Sequence, residues 1–255
     1  MIKVAIIVPN YNKAKYIERC LVSAASQTYK NLEIIVVDDC STDNSIEKIK
    51  KLQKKYPNIR LFCFKKNHGV SYARNYGASK TDADALTFLD SDDVYINSKK
   101  IENEVALYKK NTVVFSQWVP MSTNGDILEC PIYSDNPFKN FAASKILSID
   151  LPSFKQMRGY MIPAVVFHNL GGYSNSLNMY EDFDLQCKLA IIGKCRFLYT
   201  GEIGEAYRLN TGGLSSKNID NVPKILGNIQ KKYFSKLSFI QKCYYKKSES
   251  NLKFF

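Results

Sequence analysis

The acidic residues of this chain are bunched where carboxylates could act together. Asp90-Ser91-Asp92-Asp93 puts three of them within four residues, Asp38-Asp39 forms a pair, and Glu181, Asp182 and Asp184 crowd a third segment. Carboxylates so close repel one another, and a divalent cation shared with a diphosphate relieves the repulsion. Hard oxygen ligands of this kind suit Mg²⁺ or Mn²⁺, which take one or two carboxylates and complete their shell from phosphate oxygens. Each cluster also has a plainer reading. Asp and Ser favour turns and helix N-caps, and acids in a helix's first turn complement its dipole. Asp38-Asp39 could accept hydrogen bonds from a nucleobase imide or a ribose hydroxyl, or cap the next helix, although Ser41, Thr42 and Asp43 already offer that cap. Pro9-Asn10-Tyr11-Asn12 is either a simple turn or a rigid rim whose aromatic ring stacks on a base.

The elements that must position these residues alternate. Ile2–Val8, Glu33–Val37, Ile59–Phe64 and Ala85–Leu89 read as short buried strands, rich in β-branched residues. Between them, Lys13–Gln27, a segment with Ile46, Ile49 and Leu52 on one face, and Val70–Ala78 carry helical spacing. Such alternation predicts β-α-β units and a mostly parallel α/β sheet, whose ligands sit beyond the carboxyl ends of the strands. Those ends carry Pro9–Asn12, Asp38-Asp39, Lys65–Gly69 and Asp90–Asp93, so the notable polar residues of the first half fall on one edge. The second half is less regular: a strand at Thr112–Trp118, weak periodicity over 120–160, a helix at Glu181–Ile192 and a strand at Lys194–Leu198.

Composition narrows the chemistry further. Two histidines cannot supply a His-rich metal site, and seven cysteines without a C-x-x-C pair suggest neither a disulfide framework nor a zinc ribbon. No apolar run approaches the ~20 residues a membrane helix needs, and Met1-Ile2-Lys3-Val4 leads straight into a strand. A cytoplasmic protein with reduced thiols is expected. The net charge of +12 is uneven: residues 217–255 hold nine lysines against Asp220 and Glu249, a local +7. With Tyr233, Phe234, Phe239, Tyr244, Tyr245, Phe254 and Phe255, that stretch reads as an accessory helical tail for an anionic membrane surface or an oligomer contact. Nucleic acid is disfavoured, because the acidic pairs at the cleft mouth would repel a phosphate backbone.

Taken together the motifs resemble the family 2 glycosyltransferases of GT-A fold. The match runs through Val8-Pro9-Asn10-Tyr11-Asn12, Ser26-Gln27-Thr28, Ile35–Ser45 with its Asp38-Asp39-Cys40-Ser41-Thr42-Asp43 core, Asn67–Asn75, Leu89–Asp93, Gly171-Gly172-Tyr173, Glu181-Asp182 and Tyr207-Arg208 before Ser215. It covers about residues 2–216, with a donor half to about 118 and an acceptor half beyond. The resemblance implies an inverting transfer from a nucleotide sugar, with UDP as carrier, to a hydroxyl of a glycan or lipid-linked glycan. A hexosyl- or N-acetylhexosaminyltransferase of bacterial surface polysaccharide or lipooligosaccharide assembly is the implied type. It places Pro9, Tyr11, Asn12, Asp39, Asn67, Gly69, Arg74 and Asp90 on the nucleotide sugar, with Pro9, Tyr11 and Asp39 at the uracil and Arg74 nearby. Asp92 is implied as the Mn²⁺ or Mg²⁺ ligand, with Asp90 assisting, and Asp182 as general base. The chain departs from the family pattern twice. Asn210 stands where many relatives have histidine, and Cys40 stands where glycine is usual, which should confine the backbone to conformations a side chain tolerates. His68 reads as an exposed loop histidine or a phosphate contact, Trp118 as core or an acceptor contact, and His168 as a structural residue on the presumed acceptor side. A competing reading keeps the fold as a catalytically weak nucleotide-binding scaffold held at the membrane by the basic tail.

Overall fold

The computed structural model describes residues 1–132, 135–136, 143, 146–147, 157–177, 179–209 and 222–242. Its main sheet has the order β3-β2-β1-β4-β7, formed by β1 (Val4–Asn10), β2 (Leu32–Asp38), β3 (Ile59–Cys63), β4 (Ala85–Phe88) and β7 (Ile162–Pro163). The first four strands pair in parallel, and β7 closes one edge antiparallel to β4. The helices between them are α1 (Ile17–Ala25), α2 (Ser45–Lys55) and α3 (Val70–Ala78).

β1 and β2 are buried along their whole length because both faces of the sheet are covered. Val4, Ile6 and Val8 of β1 meet Ile34 and Val36 and the apolar stripes of α1 and α2 on one side. Ala5 and Ile7 join Ile35, Val37, Ala73 and Ala78 on the other. On that side α3 lies very close to the sheet: a Cβ on Gly77 would fall 2.6 Å from Ile7 Cγ2 and 3.1 Å from Val37 Cγ2. Any larger residue there would push α3, and Arg74 one turn earlier, off the sheet.

A second sheet, ordered β5-β8-β6, stands beside the first. It contains β5 (Val94–Tyr95), β6 (Thr112–Met121) and β8 (Arg196–Arg208), with α4 (Lys100–Leu107) packed on β6 and β8. β6 and β8 are both longer than the apolar runs that predict them. The predicted strand Lys194–Leu198 begins β8, which then continues through Glu205 to Arg208, with register shifts near Phe115 and Gln117 of β6. α4 has no counterpart in the sequence reading, because its buried positions include Lys100 and Glu104, an ion pair 2.7 Å long. α5 (Ala164–Asn169) follows β7, and α6 (Glu181–Cys187) runs into a π-helical turn at Lys188–Ile192 where one continuous helix was expected.

One face of the segment expected as an accessory tail packs into the core. α7 (Val222–Phe234) and the turn after it bury Ile229, Tyr233 and Leu237 in the larger apolar cluster. The spacing of those three residues is one helical stripe. Tyr233 Oη and Lys232 Nζ both donate to Asp184 Oδ1, at 2.9 and 2.8 Å, so α7 is tied to α6 by hydrogen bonds as well. Among the described residues no helix is long and apolar enough to cross a membrane, and all six cysteines are unpaired. Tyr244, Tyr245, Phe254, Phe255, Asn210 and Ser215 lie outside the described residues.

Cys40 corrects another expectation. It does not hold the backbone to ordinary conformations but sits at φ +67°, in the left-handed region that glycine enters freely. That conformation costs an L-residue roughly 1–2 kcal/mol, part of which glycine would return as extra unfolded-state entropy. Cys40→Gly is therefore expected to stabilise the protein by about 0.5–1 kcal/mol. A chemical-denaturation midpoint equal to or below that of the wild type would show that contacts of the thiol outweigh the backbone strain.

Candidate active site

At the carboxyl edge of the main sheet, most of the expected rim residues turn out to hold one another. Asp38 is fully buried. Its Oδ2 accepts from Asn10 Nδ2 at 2.7 Å and from Ser41 Oγ at 2.7 Å, and its Oδ1 accepts from the Ser41 N–H at 2.8 Å. Asp39 accepts the backbone N–H groups of His68 and Gly69 at 2.7 and 2.8 Å, while Asn67 Nδ2 donates to the Asp39 carbonyl at 3.2 Å. Asn12 Oδ1 takes the N–H groups of Thr42 and Asp43, and Pro9 is buried within β1. The cap expected from Ser41, Thr42 and Asp43 is made by Asp43 alone, through the Ser45 N–H at 3.0 Å. Tyr11 differs from these neighbours in being 47% exposed, an open ring at the rim. His68 is exposed and stacks on Tyr72 with ring centroids 4.6 Å apart.

α3 presents Arg74, whose guanidinium is almost wholly buried and bonded to three carboxylates. Its Nη2 lies 2.6 Å from Asp90 Oδ1, and its Nη1 lies 2.9 Å from Glu181 Oε1 and 3.5 Å from Asp182 Oδ1. The Tyr173 ring covers the cation at 4.9 Å. Burial works against the charged form of Asp90, but the Arg74 guanidinium outweighs it and holds this carboxyl below its usual range. Glu181 moves the other way, because burial and the neighbouring Asp182 charge together exceed the pull of Arg74.

Each acidic cluster thus divides. Of the 181–184 group, Asp184 is buried against α7 and Glu181 is committed to Arg74, whereas the Asp182 side chain keeps 39% of its surface open. Tyr180, immediately before it, sits at φ +61°, a strained left-handed turn that sets the direction in which α6 begins. Of the 90–93 group, Asp93 is internal, accepts the Arg208 N–H at 2.8 Å, and is raised well above the usual carboxylate range by burial and by Asp90 and Glu205. Asp92 faces Lys13, whose Nζ lies 2.5 Å from Oδ2. Arg208 clamps this loop, donating from Nε to the Asp92 carbonyl at 2.9 Å and from Nη1 to the carbonyls of Ser122 and Thr123.

No three His, Cys, Asp or Glu side chains among the described residues converge as a metal cage. The donor set that is present, Asp92 with Asp90 near it, fits a magnesium- or manganese-type cation held by one or two carboxylates and completed by a ligand's phosphate oxygens. A cation at Asp92 would have to share or displace the Lys13 ammonium that pairs with this carboxylate.

Asp90, Arg74 and Asp182 line one pocket that is partly open to solvent, together with Phe88, Arg158, Tyr160, Tyr173 and Glu205. The expected Pro9, Tyr11, Asn12, Asp39, Asn67 and Gly69 do not line it. Arg158, Tyr160 and Glu205 were not among the residues that the sequence pointed to. Glu205 had one signal, a charged residue between Gly204 and Ala206 in a stretch that is otherwise buried. Burial, with Asp90 and Glu104 adding to it, pushes its carboxyl up to about 7 against the pull of Lys100 and Arg158.

With this geometry in view, the relatives can be named. The sequence profile of the family described as Glycosyl transferase family 2 matches residues 5–169. The chain belongs to that family. GlyA, a glycosyltransferase of Streptococcus pneumoniae serotype 4, is 44% identical over 226 residues, which cover 84% of this chain and 31% of GlyA. An uncharacterized glycosyltransferase of Haemophilus influenzae is 34% identical over 163 residues, 64% of this chain and 61% of that one. The chain also spans only 32% of an uncharacterized glycosyltransferase of Rickettsia conorii. Among solved structures, S. aureus TarS 1–349 in complex with UDP-GlcNAc superposes with a TM-score of 0.72 at 22% identity, over 94% of this chain and 69% of that one. The mannosyltransferase PcManGT from Pyrobaculum calidifontis, in complex with GDP-Man and Mn²⁺, gives 0.67 at 19% identity, over 98% and 70%. These likenesses establish the GT-A type of fold for this family 2 chain.

The Arg74 junction has a measurable consequence. Removing one partner of a buried ionic cluster leaves the others uncompensated and costs about 3–5 kcal/mol. Arg74→Met is expected to lose stability in that range at neutral pH. Lysine should rescue it poorly, because a point charge cannot span carboxylates on two sides as a planar fork does. A depressed folded-state pKa contributes stability above the usual carboxylate range, and that stability disappears as pH falls through the folded value. The gap between wild type and Arg74→Met should therefore narrow on acidification. A gap that held constant between pH 7 and pH 3 would refute the electrostatic account.

Proposed function

We propose that the chain transfers a sugar from a nucleotide sugar, with UDP as carrier, to a hydroxyl of a glycan or lipid-linked glycan, inverting the anomeric centre. One observation carries this reading: the carboxylates of Asp182 and Asp90 line the same pocket, joined through Arg74. TarS in complex with UDP-GlcNAc and PcManGT in complex with GDP-Man and Mn²⁺ support a nucleotide-sugar donor for this fold.

In this mechanism Asp182 accepts the proton of the acceptor hydroxyl as that oxygen bonds to the anomeric carbon. The bond from that carbon to the diphosphate oxygen breaks on the opposite face, and the electron pair leaves with the nucleoside diphosphate. Arg74 fixes the Asp182 carboxylate without neutralising it fully, since its shorter contacts go to Asp90 and Glu181. Tyr11 offers a stacking face to the base, and Asp39 holds the 67–69 loop that borders it. Mg²⁺ or Mn²⁺ held at Asp92, with Asp90 nearby, would supply Lewis-acid stabilisation of the leaving diphosphate.

Calorimetry with UDP, GDP and dTDP, with and without Mn²⁺, tests the donor side. Manganese-dependent UDP binding is expected in the wild type and not in Asp92→Ala. Asp182→Asn should retain UDP binding and lose turnover by ~10²-fold or more. Near-normal transfer by Asp182→Asn would remove it as the base.

A second reading concerns location and has its own support. Phe239 and Ile240, beside Lys236 and Lys242, are 81% and 64% exposed at the start of a helical turn capped by Ser238 and Gln241. Apolar side chains flanked by lysines suit an anionic membrane surface, at ~1 kcal/mol per lysine. Replacing both Phe239 and Ile240 with Asp leaves the buried stripe of α7 intact and should abolish flotation with anionic liposomes. Undiminished flotation would end the membrane reading.

A further inference from the structure

The inner end of the pocket contains a carboxylate that the transfer mechanism does not use. Glu205 is 3% exposed, lines the pocket, and forms no hydrogen bond or ion pair among the described residues. Its Oε2 is packed against Gly159, where a Cβ would lie 1.8 Å from that oxygen unless the carboxylate moved. The Gly159 loop is itself held firmly, its carbonyl accepting from Lys100 Nζ at 2.6 Å and Thr87 Oγ1 at 3.0 Å. Lys100 is buried in turn by its pairing with Glu104. A chain of buried polar contacts therefore keeps in place a carboxylate that has no partner of its own.

Arg158 adjoins it in the same pocket. Its guanidinium lies 3.6 Å from the centre of the Tyr207 ring and 5.6 Å from that of Trp118, and pairs with no carboxylate among the described residues. A buried acceptor without a hydrogen-bond partner and a half-buried guanidinium thus share a cavity whose other walls include the aromatic rings of Phe88, Tyr160 and Tyr173. Burying the Glu205 oxygen without a partner is costly, and a ligand that hydrogen-bonds this carboxylate and also meets Arg158 recovers that cost. The ligand chemistry that fits is a polyhydroxylated ring, with hydroxyls for the two charged groups and a C–H face for the aromatics.

We infer that Glu205, together with Arg158, reads ring hydroxyls of the transferred sugar and sets which sugar the donor may carry. This rests on the proposed donor chemistry, since the pocket runs from Asp90 to Asp182, the space a transferred sugar would occupy between diphosphate and base. Sites built to hydrogen-bond a substrate hydroxyl discriminate strongly against analogues that misplace it, because the protein group is then left unpaired.

The test compares wild type and Glu205→Gln by calorimetry with UDP, UDP-glucose, UDP-galactose and UDP-N-acetylglucosamine. Glutamine keeps the shape of the side chain and halves its acceptor capacity. The wild type is expected to favour one sugar nucleotide over the others by at least about tenfold. In Glu205→Gln that preference should shrink to about twofold, with UDP itself bound as before; UDP affinity also reports that the site is folded. A variant that keeps the wild-type preference overturns the inference, as does one that weakens UDP and every UDP-sugar equally. A wild type that binds UDP without distinguishing sugars overturns it too and leaves the donor reading standing. A wild type that binds no nucleotide removes both.

Discussion

The buried guanidinium of Arg74 is the interaction on which the site depends. It arrives on α3, touches Asp90 after β4, and reaches Glu181 and Asp182 at the start of α6, so one side chain joins elements 107 residues apart in sequence. Taking an arginine out of water costs several kcal/mol, and only close carboxylates with good geometry offset it. Three of them are present, and the Tyr173 ring adds a cation–π contact. The result is an arrangement in which no member can be moved alone. Shifting α3 exposes unpaired carboxylates at both the sheet edge and α6, and shifting α6 strands the arginine. Close packing of Gly77 on Ile7 and Val37 guards the first of these movements.

This junction also explains why adjacent acids do different things. A strand end and a helix start turn successive side chains in different directions, so a run of carboxylates is sorted by geometry. In each run one acid goes inward, Asp93 to the Arg208 N–H and Asp184 to Tyr233 and Lys232. Asp90, Glu181 and, at longer range, Asp182 go to Arg74, and Asp92 goes to Lys13. The repulsion that makes such clusters look like metal cages in sequence is relieved here mostly by protein cations: Lys13, Arg74, Lys188 and Lys232. What remains open to a ligand is small: chiefly the Asp182 carboxylate, with Asp92 reachable only in exchange with Lys13.

The first half of the fold was legible because its strands are buried on both faces and therefore read as uninterrupted β-branched runs. Val70–Ala78 was legible to the residue, since Gly69 before it and the small residues within it mark a helix that lies close on a sheet. The same reasoning failed at α4, where Lys100 and Glu104 occupy core positions as a neutralised pair and break the apolar period. It failed at the pocket for a related reason. Arg158 and Glu205 are single charged residues in irregular or strand context, and only tertiary contact puts them beside Asp90 and Asp182. The tail misled by composition: its lysines dominate the count, while the stripe of Ile229, Tyr233 and Leu237 decides where the helix packs.

That stripe matters for more than the domain boundary. α7 buries Tyr233 so that its hydroxyl meets Asp184, and Lys232 and Lys188 complete the neutralisation of that carboxylate. α6 is then fixed twice, by Glu181 to Arg74 at its first residue and by Asp184 to α7 one turn later, with Tyr180 in a left-handed conformation setting its entry. Asp182 lies between the two anchors and is the acid of the three that keeps open surface. A general base must hold its place to within a fraction of an ångström while keeping a free lone pair for the incoming proton. Anchoring the residues on either side firmly, with only the longer contact from Arg74 on Asp182 itself, would meet both demands for the proposed base, and a helix from the basic C-terminal segment supplies one of those anchors.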